Sequence, residues 1–253
     1  PAPDGETVPW AKVYSHAFQG PGGWYIENSR TTLGEKDPVG EVNRQHWNNG
    51  TEEGKDIARR QKRKLSYYSN IQVIKDPKHP ENEGKVFLYK YGKKIHDKIL
   101  AAMQPEFQDE TPVNVFDLWE GANFKLKIKK VAGYWNYDSS EFDSVSALSA
   151  DDSELEATWK LEHSLEAFTA KDNFKSYDDL EARLNLVLGT SQRRQAAPVA
   201  EELEVPITAP PTASVTPSSF REKVGASASP VKKEAVVDDD DALSYFASLA
   251  SDD

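Results

Sequence analysis

Two runs of alternating residues constrain most strongly how this chain can fold. They are LSYYSNIQVI at 65–74 and KVFLYKYG at 85–92, separated by a polar loop that ends in glycine. Because successive side chains of a β-strand point to opposite faces, each run predicts a strand with one face turned toward a core. In the second run, Phe87, Tyr89 and Tyr91 share a face. The sequence therefore predicts a β-rich centre that carries rows of aromatic rings.

Further strands and several helices are predicted around this centre. The run FKLKIKKV at 124–131 gives the clearest additional strand, with Phe124, Leu126 and Ile128 directed inward. Short strands with a helix inserted partway are typical of an α+β fold built on a small Greek-key barrel of the OB type, here with flanking helices. The remaining predicted strands lie at 10–18, 24–27 and 113–116, and the predicted helices lie at 93–103, 151–168 and 176–190.

Three segments lack the periodicity of strands and helices. Residues 28–54 are polar and rich in Gly, Asn and Glu, and we predict a long excursion there within a core domain that spans 1–190. Residues 191–237, rich in Ala, Pro, Ser, Thr and Val, predict a disordered linker. Residues 238–253 contain six Asp and no cation. We predict that this acidic tail binds protein partners rather than serving only as a solubilising end. Its candidate contact residues are Asp238, Asp239, Asp240, Asp241, Leu243, Tyr245, Phe246 and Leu249.

Charge is strongly segregated along the chain. The formal net charge is −11, yet residues 55–137 carry 17 Lys and Arg against 10 Asp and Glu. Residues 138–253 carry 10 Lys and Arg against 24 Asp and Glu. Such a division is typical of a cationic binding region followed by an acidic interaction segment, with an uneven solvated surface as the alternative.

Cations stand beside aromatic rings in three separate segments of the positive region. Single-stranded nucleic acid needs this combination, because cations follow the phosphates while rings stack on unpaired bases without reading the sequence. The alternative is that the rings belong to the core and the lysines are merely solvated. The predicted nucleic-acid-binding residues are Arg59, Arg60, Lys62, Arg63, Lys64, Tyr67, Tyr68, Tyr89, Lys90, Tyr91, Lys93, Lys129, Tyr134, Trp135 and Tyr137.

Signals for catalysis, metal binding and membrane insertion are missing from the sequence. The chain has no Cys, and its five His are scattered without the HExxH spacing of a zinc site. It has no G-x-S-x-G motif, and GPGG at 20–23 is not followed by the Gly-Lys-Ser/Thr of a phosphate-binding loop. No run approaches 18 apolar residues. We therefore expect no enzymatic activity, no metal or other cofactor, and no membrane span.

Two long segments resemble a known family. KRKLSYYSNIQVIKDPKHPENEGKVFLYKYGKKIHDKI (62–99) and WEGANFKLKIKKVAGYWNYD (119–138) are similar to the single-stranded DNA-binding, or helix-destabilising, proteins of T-even-type tailed phages. KDNFKSYDDLEARLNLVLGT (171–190) continues the resemblance. It implies an OB-fold core whose basic cleft holds single-stranded DNA during replication, recombination and repair, in the cytoplasm of the infected bacterial host. By position it places the DNA contacts on Lys62, Arg63, Lys64, Tyr67, Tyr68, Tyr89, Lys90, Tyr134 and Tyr137.

The resemblance also implies partners. The acidic tail of the family recruits replication and recombination proteins and competes with DNA for the cleft, and we expect the same of 238–253. Family members carry a basic N-terminal arm that drives cooperative self-association along DNA. Because this chain begins with Pro1, after the position of that arm, we expect weak self-association.

One departure from the family concerns zinc. Its well-known members bind a structural zinc through one His and three Cys, in the subdomain that corresponds to 28–54. His16 stands at the His position, whereas Ser29, Val39 and Val42 occupy the Cys positions. We therefore expect no zinc, and we expect the excursion to be held in another way, with packing of Val42 and Trp47.

Other functions are compatible with parts of the pattern. An adaptor could bind proteins through both core and tail, with its aromatic residues buried. A single-stranded RNA-binding protein would use the same cations and rings, since neither distinguishes the sugars. A metal-dependent nuclease is disfavoured because the spacing of metal ligands is missing.

Overall fold

In a computed structural model that describes residues 1–190, the largest sheet is a curled, antiparallel half-barrel of four strands in the order β2-β1-β3-β4. Two small sheets pair β5 with β8 and β6 with β7. The mixed α+β class is thereby confirmed, while the closed barrel of OB type stays a prediction. The predicted linker and acidic tail lie outside the described residues. The strands are β1 (Ala11–Gly20), β2 (Gly23–Asn28), β3 (Lys64–Gln72), β4 (Val86–Tyr91), β5 (Ala122–Lys125), β6 (Lys129–Val131), β7 (Tyr134–Asn136) and β8 (Glu141–Val145).

Two of the five α-helices within residues 1–190 match the predicted ones closely. Lys93–Met103 forms at the predicted bounds, and the last helix begins after Ser176, whose hydroxyl accepts a hydrogen bond from the Asp179 amide at 3.2 Å. It ends at Gly189, which adopts the left-handed conformation usual after a helix. The helices are α1 (Pro38–Asn48), α2 (Glu52–Gln61), α3 (Lys93–Met103), α4 (Asp152–Trp159) and α5 (Tyr177–Leu188).

The excursion predicted at 28–54 lies between β2 and β3, but its predicted lack of helical periodicity is wrong, because α1 lies within it and α2 begins there at Glu52. Asp37 caps α1 by accepting hydrogen bonds from the amides of Val39 and Gly40, and Pro38 occupies the first turn. Thr51 caps α2 in the same manner. The helical signal in this segment therefore lay in its capping residues and not in an apolar stripe.

The predicted single strand at 124–131 is also wrong. It is split into β5 and β6, which pair with different partners. Between them, the Lys127 amide donates to Ser140 Oγ at 2.9 Å, so a side-chain hydroxyl accepts the hydrogen bond that a neighbouring strand would otherwise accept. Leu126 and Ile128, predicted to point inward, are 42% and 51% exposed.

The helix predicted at 151–168 ends at Trp159. From Trp159 onward, the segment is bound by hydrogen bonds to residues at the start of the chain. The Trp159 indole donates to the Ala2 carbonyl at 3.0 Å, and a Glu6 carboxylate oxygen accepts from the Leu165 amide at 2.7 Å. The strand predicted at 113–116 is likewise not formed; that segment ends in a turn.

The register of the large sheet defines two faces. Lys12, Tyr67 and Tyr91 lie side by side on one face, here termed the inner face, and Tyr68 and Lys90 lie on the outer face. Two core clusters are buried against the sheet. The first joins β1 and β2 to α1 and α5 and consists of Phe18, Tyr25, Val39, Leu180, Leu184 and Val187. The second joins β3 and β4 to α3 and consists of Tyr67, Tyr91, Ile95 and Ile99, with Phe124 of β5 and Phe142 of β8 packed against it.

Within residues 1–190, no helix has both the length and the apolar character needed to cross a membrane.

Candidate nucleic-acid interface

Aromatic rings form a ladder along the inner face. His96 stacks on Tyr67 with 3.8 Å between ring centroids, Tyr67 lies 5.7 Å from Tyr91, and Tyr91 lies 5.5 Å from Tyr89. Adjacent rings in the ladder are within 24° of parallel. Stacked rings contribute packing energy beyond their buried area, so the ladder is a rigid platform.

The ladder divides the predicted tyrosines by exposure. Tyr67 and Tyr91 are each only 5% exposed, and the Tyr91 hydroxyl shares a 2.8 Å hydrogen bond with Ser69 Oγ. Neither ring offers an open face to a base in this conformation. Tyr89 is half-buried at the end of the ladder, and it packs against the second core cluster together with Tyr137. The open end of the ladder is therefore at Tyr89 and Tyr137.

Burial changes the acid–base behaviour of the ladder. It raises the pKa of Tyr91 to about 12, although the hydrogen bond from Ser69 opposes the shift. Burial also lowers the pKa of His96, and the positive charges of Lys12 and Lys93 act in the same direction. Burial thus favours the neutral forms of Tyr91 and His96, while lysines at the margin supply the nearby charge.

Cations meet an aromatic ring at the other end of the inner face. The Arg63 guanidinium lies 4.2 Å from the centroid of Tyr14, and Lys12 Nζ lies 5.2 Å from the same centroid. Tyr14 pairs with Leu65 across the strands, which places all of these groups on the inner face. Lys12 and Tyr14 were not among the predicted residues. The alternation of WAKVYSHAF puts them on one face, and this signal could have found them.

Other predicted cations cluster where α2 meets β3. Arg59 and Arg60 lie in the last turn of α2, Lys62 follows it, and Lys64 begins β3. Arg59 forms ion pairs with carboxylates of its own helix, the closest at 2.6 Å. Lys93 likewise pairs with Asp97 on α3 at 3.1 Å. Exposed pairs of this kind are weak, so these cations can exchange a carboxylate for a phosphate.

The third basic–aromatic segment forms a separate hairpin of β6 and β7. It turns at Ala132 and Gly133, both with positive φ, as a tight hairpin turn requires. Lys130 Nζ lies 4.9 Å from the centroid of Trp135, whose side chain is 60% exposed. Tyr134 beside it is also exposed, and Lys129 Nζ donates to Ser139 Oγ at 3.4 Å. The hairpin therefore presents exposed aromatic side chains next to cations, and that they bind nucleic acid stays a prediction.

Tyr68 is separated from its neighbour Tyr67 because it lies on the outer face. Its ring stacks on Phe168, with centroids 4.2 Å apart and planes 14° from parallel. Lys90 Nζ lies 5.6 Å from the Tyr68 centroid. The structure thus brings Lys90 to Tyr68 but places both away from the inner-face ladder.

The residues at the positions of the family's zinc ligands do not fit the metal. His16 Nδ1 donates to the Gln61 carbonyl at 2.9 Å, and its Nε2 faces Asp37 Oδ1 at 3.4 Å. Both ring nitrogens thus face oxygen atoms of the protein itself, and neither is directed at a vacant metal position. Ser29 has a hydroxyl in place of a thiolate, and this hydroxyl donates to Asp37 Oδ2 at 2.9 Å. The side chain of Val39 has no atom that could bind a metal. Within the described residues, no group of three or more His, Cys, Asp or Glu side chains could hold a metal ion.

Asp37 takes the central place in this region. Its two oxygens accept hydrogen bonds from Ser29 Oγ and from the amides of Arg30, Val39 and Gly40. Burial by itself would raise the pKa of Asp37, but the hydrogen bond and charge of His16, with the donors of Ser29 and Gly40, hold it below its usual value. The excursion is thereby tied to β1 by polar contacts, and Val42 packs against the first core cluster. Trp47 lies 5.8 Å from the Arg59 guanidinium.

Comparisons with known proteins show which sequences this chain is similar to. A protein-family model described as "gp32 DNA binding protein like" matches residues 1–188. The chain is 42% identical to the "Single-stranded DNA-binding protein" of Enterobacteria phage T2 over 206 residues, covering 79% of this chain and 67% of the phage protein. It is also 42% identical over 207 residues to the "Single-stranded DNA-binding protein" of Enterobacteria phage T4, with the same coverage of both chains. These matches confirm the resemblance carried by 62–99 and 119–138.

Proposed function

Since the chain belongs to the gp32-like family of DNA-binding proteins, we propose that it binds single-stranded DNA along the inner face of its curled sheet. The observation that carries this proposal is the meeting of Lys12 and Arg63 over the ring of Tyr14, in line with the aromatic ladder. Tyr67 and Tyr91 in the middle of the face are covered by α3, so the cations at this end and the half-buried Tyr89 and Tyr137 at the other end provide the two interactions that an unpaired strand needs.

The proposed mechanism assigns different tasks to the two kinds of residue. Phosphates are captured first by the cations around the start of β3, because electrostatic attraction acts over the longest distance. Bases then stack on the less buried rings, which are the exposed Tyr134 and Trp135 of the hairpin and the half-buried Tyr89 and Tyr137. Tyr67 and Tyr91 act as the buried support of this surface. If roughly three to six phosphates are neutralised, log K falls with log[salt] at a slope of about −2 to −4.

The wider role is part of the proposal. Sequence-tolerant binding of this kind serves phage DNA replication, recombination and repair inside the infected bacterial cell. The acidic segment 238–253 recruits the proteins of those processes and competes with DNA for the cationic surface, which its six Asp and apolar centre support. Deleting 238–253 therefore tightens DNA binding, most strongly at low salt, because competition between charges is screened at high salt. Unchanged affinity on deletion would count against the competing tail and leave DNA binding itself intact.

A titration of fluorescent oligo-dT at two salt concentrations tests the proposal, with same-length duplex DNA and oligo-U as competitors. We expect preference for the single strand, a negative salt slope, and quenching of tryptophan fluorescence. Trp135→Ala should lose about 1–3 kcal/mol of binding free energy. The matched control is Trp24→Ala, since Trp24 is similarly exposed at 53% but lies on the edge strand β2, with no cation–π contact described there. Equal binding of duplex and single strand would overturn the proposal, and a preference for oligo-U would assign the surface to RNA.

A further inference from the structure

The ring of Tyr68 is already stacked on a ring of its own chain. Phe168 lies parallel to it at 4.2 Å, the arrangement that a nucleobase adopts on a tyrosine. Lys90 Nζ lies 5.6 Å from the centroid of the same Tyr68 ring, where it could reach the phosphate of a nucleotide whose base stacks on Tyr68. The outer face thus holds a complete basic–aromatic pair in which an internal phenyl group occupies the place of a base.

The segment that carries Phe168 joins α4 to α5 and crosses the outer face with only two short 3-10 turns, Glu166–Phe168 and Lys171–Asn173. Asn70 of β3 binds it with two hydrogen bonds, donating to the His163 carbonyl and accepting from the His163 amide, both at 2.9 Å. One Glu6 carboxylate oxygen accepts from Ser164 Oγ and from the amides of the next two residues. We term residues 163–169 the cover segment.

The attachments of the cover segment are of a kind that can exchange with solvent. The hydrogen bonds from Asn70 and those from Ser164 and Glu166 to Glu6 are solvent-exposed, and water can replace them at small net cost. The apolar anchor is Leu165, which is 2% exposed and lies three residues before Phe168. Phe168 can therefore move away from Tyr68 while Leu165 keeps the segment attached.

We propose that Phe168 is an internal base surrogate, which single-stranded DNA displaces in order to stack a base on Tyr68 beside Lys90. The proposal rests on the proposed function and deepens it by adding a second, gated contact on the outer face. Because a base–Tyr stack replaces a Phe–Tyr stack, the exchange is close to balanced, and Tyr68 contributes less to affinity than an open ring would. The cover segment then lowers affinity, because DNA must displace Phe168 before a base reaches Tyr68.

Removing the surrogate should tighten binding. We expect Phe168→Leu, which keeps an apolar side chain without a ring, to lower the Kd for oligo-dT about 3- to 10-fold, a fraction of what one base–aromatic stack is worth. Asn70→Ala, which removes both hydrogen bonds to His163 but leaves the rings in place, should act in the same direction. The matched control is Thr169→Ala, since the Thr169 hydroxyl contacts only the Glu166 carbonyl among the described hydrogen bonds. It should leave the Kd unchanged.

A double variant links the gain to Tyr68. In a Tyr68→Ala background, Phe168→Leu should give no gain, because the base has no ring to reach. Two outcomes would overturn the surrogate while leaving DNA binding by the wild type intact. One is a gain in affinity that persists without Tyr68. The other is an unchanged or higher Kd for Phe168→Leu, provided that this variant still unfolds cooperatively in urea. Absence of single-strand binding by the wild type and all variants would instead overturn the proposed function, and the surrogate with it.

Discussion

His16 and Asp37 face each other across 3.4 Å in a site where their side chains are 2% and 1% exposed. The pair joins β1 to the start of α1, and the Gln61 carbonyl at the end of α2 accepts from the other side of the imidazole. Three elements far apart in the chain are thus linked by one buried polar cluster. Breaking a buried pair on one side leaves uncompensated charge and unpaired donors, which is costly.

We therefore expect Asp37→Asn to destabilise the protein by about 3 kcal/mol. Four donors point at the Asp37 carboxylate, and the amide group of Asn would present its own N–H to some of them. Urea unfolding followed by circular dichroism measures the change. The control is Asp151→Asn, since Asp151 caps α4 at an exposed position and Asn caps a helix equally well. A loss below about 0.5 kcal/mol for Asp37→Asn would show that the cluster is not needed.

The Asp37 pair also gives acid sensitivity with a defined sign. The pKa of Asp37 is lower in the folded state than in the unfolded state, where it is about 4. The contribution of Asp37 to the free energy of unfolding is therefore complete above about pH 4 and is lost as the pH falls through the pKa of the folded state. The difference in unfolding free energy between wild type and Asp37→Asn should accordingly shrink below about pH 4. A difference that stays constant down to pH 2 would contradict the lowered pKa.

A second prediction concerns zinc. Since His16 has both ring nitrogens engaged and Ser29 and Val39 supply no thiolate, purified protein should contain far less than one zinc per chain. The midpoint of thermal unfolding should not change on addition of a strong chelator, whereas a structural zinc site loses its folding free energy. Elemental analysis checks the first statement and calorimetry the second. Stoichiometric zinc, or a chelator-dependent midpoint, would contradict both.

The burial of Tyr67 shows how far the sequence could predict the site. Alternation correctly separates Tyr67 from Tyr68 and aligns Tyr67 with Ser69, but it does not say which face is covered. In this protein α3 covers one face and the cover segment part of the other, so both rings are stacked by groups distant in sequence, His96 and Phe168. Local patterns carry no information on such contacts.

The same reasoning explains which elements were predicted well. α3 and α5 have apolar spacing, and α5 also has a cap at each end, so local signals agree. The hydrogen bond between His16 and Gln61 joins residues 45 apart in the chain, and no local pattern predicts it. The basic–aromatic segment at 129–137 is recognisable in the sequence because its cations and rings are neighbours there, although the hairpin that it forms was not predicted. Alternation in WAKVYSHAF places Lys12 and Tyr14 on one face, but only strand pairing brings Arg63 to them, and the local pattern does not predict that.

The close approach of α5 to the turn between β1 and β2 gives a third prediction. The Gly22 amide donates to the Val187 carbonyl at 2.8 Å, and a Cβ at Gly22 would lie 2.0 Å from the Leu186 carbonyl oxygen. Gly22→Ala must therefore push α5 away from the sheet, at a cost of about 1–3 kcal/mol. Gly40→Ala is the control, because nothing lies within 4 Å of its Cβ position in α1. We expect that change to stabilise by about 0.5–1 kcal/mol. Equal urea midpoints for the two variants would contradict the predicted clash.

A fourth prediction uses the hydroxyl of Tyr91. Its pKa is raised to about 12 by burial, whereas an unfolded tyrosine titrates near 10. Above pH 10 the unfolded state releases this proton first, so stability falls as the pH rises from 10 to 12, by about 2–3 kcal/mol for this group. Comparing urea unfolding of wild type and Tyr91→Phe at pH 9 and pH 11 isolates the effect, since Phe cannot ionise. The same alkaline loss in both proteins would show that Tyr91 is not responsible.

The last prediction addresses the cationic end of the inner face. Arg63 stands over Tyr14 beside Lys12, and we expect Arg63→Gln to weaken oligo-dT binding. Because one phosphate contact is lost, the slope of log K against log[salt] should become less negative by about 1. Arg183→Gln is the matched control, since the Arg183 guanidinium donates to the Trp24 carbonyl on the edge strand and lies away from Tyr14 in the fold. Affinity loss with an unchanged slope would mean that Arg63 positions Tyr14 rather than binding a phosphate. Equal effects of the two variants would mean that binding follows net charge and not the site on the inner face.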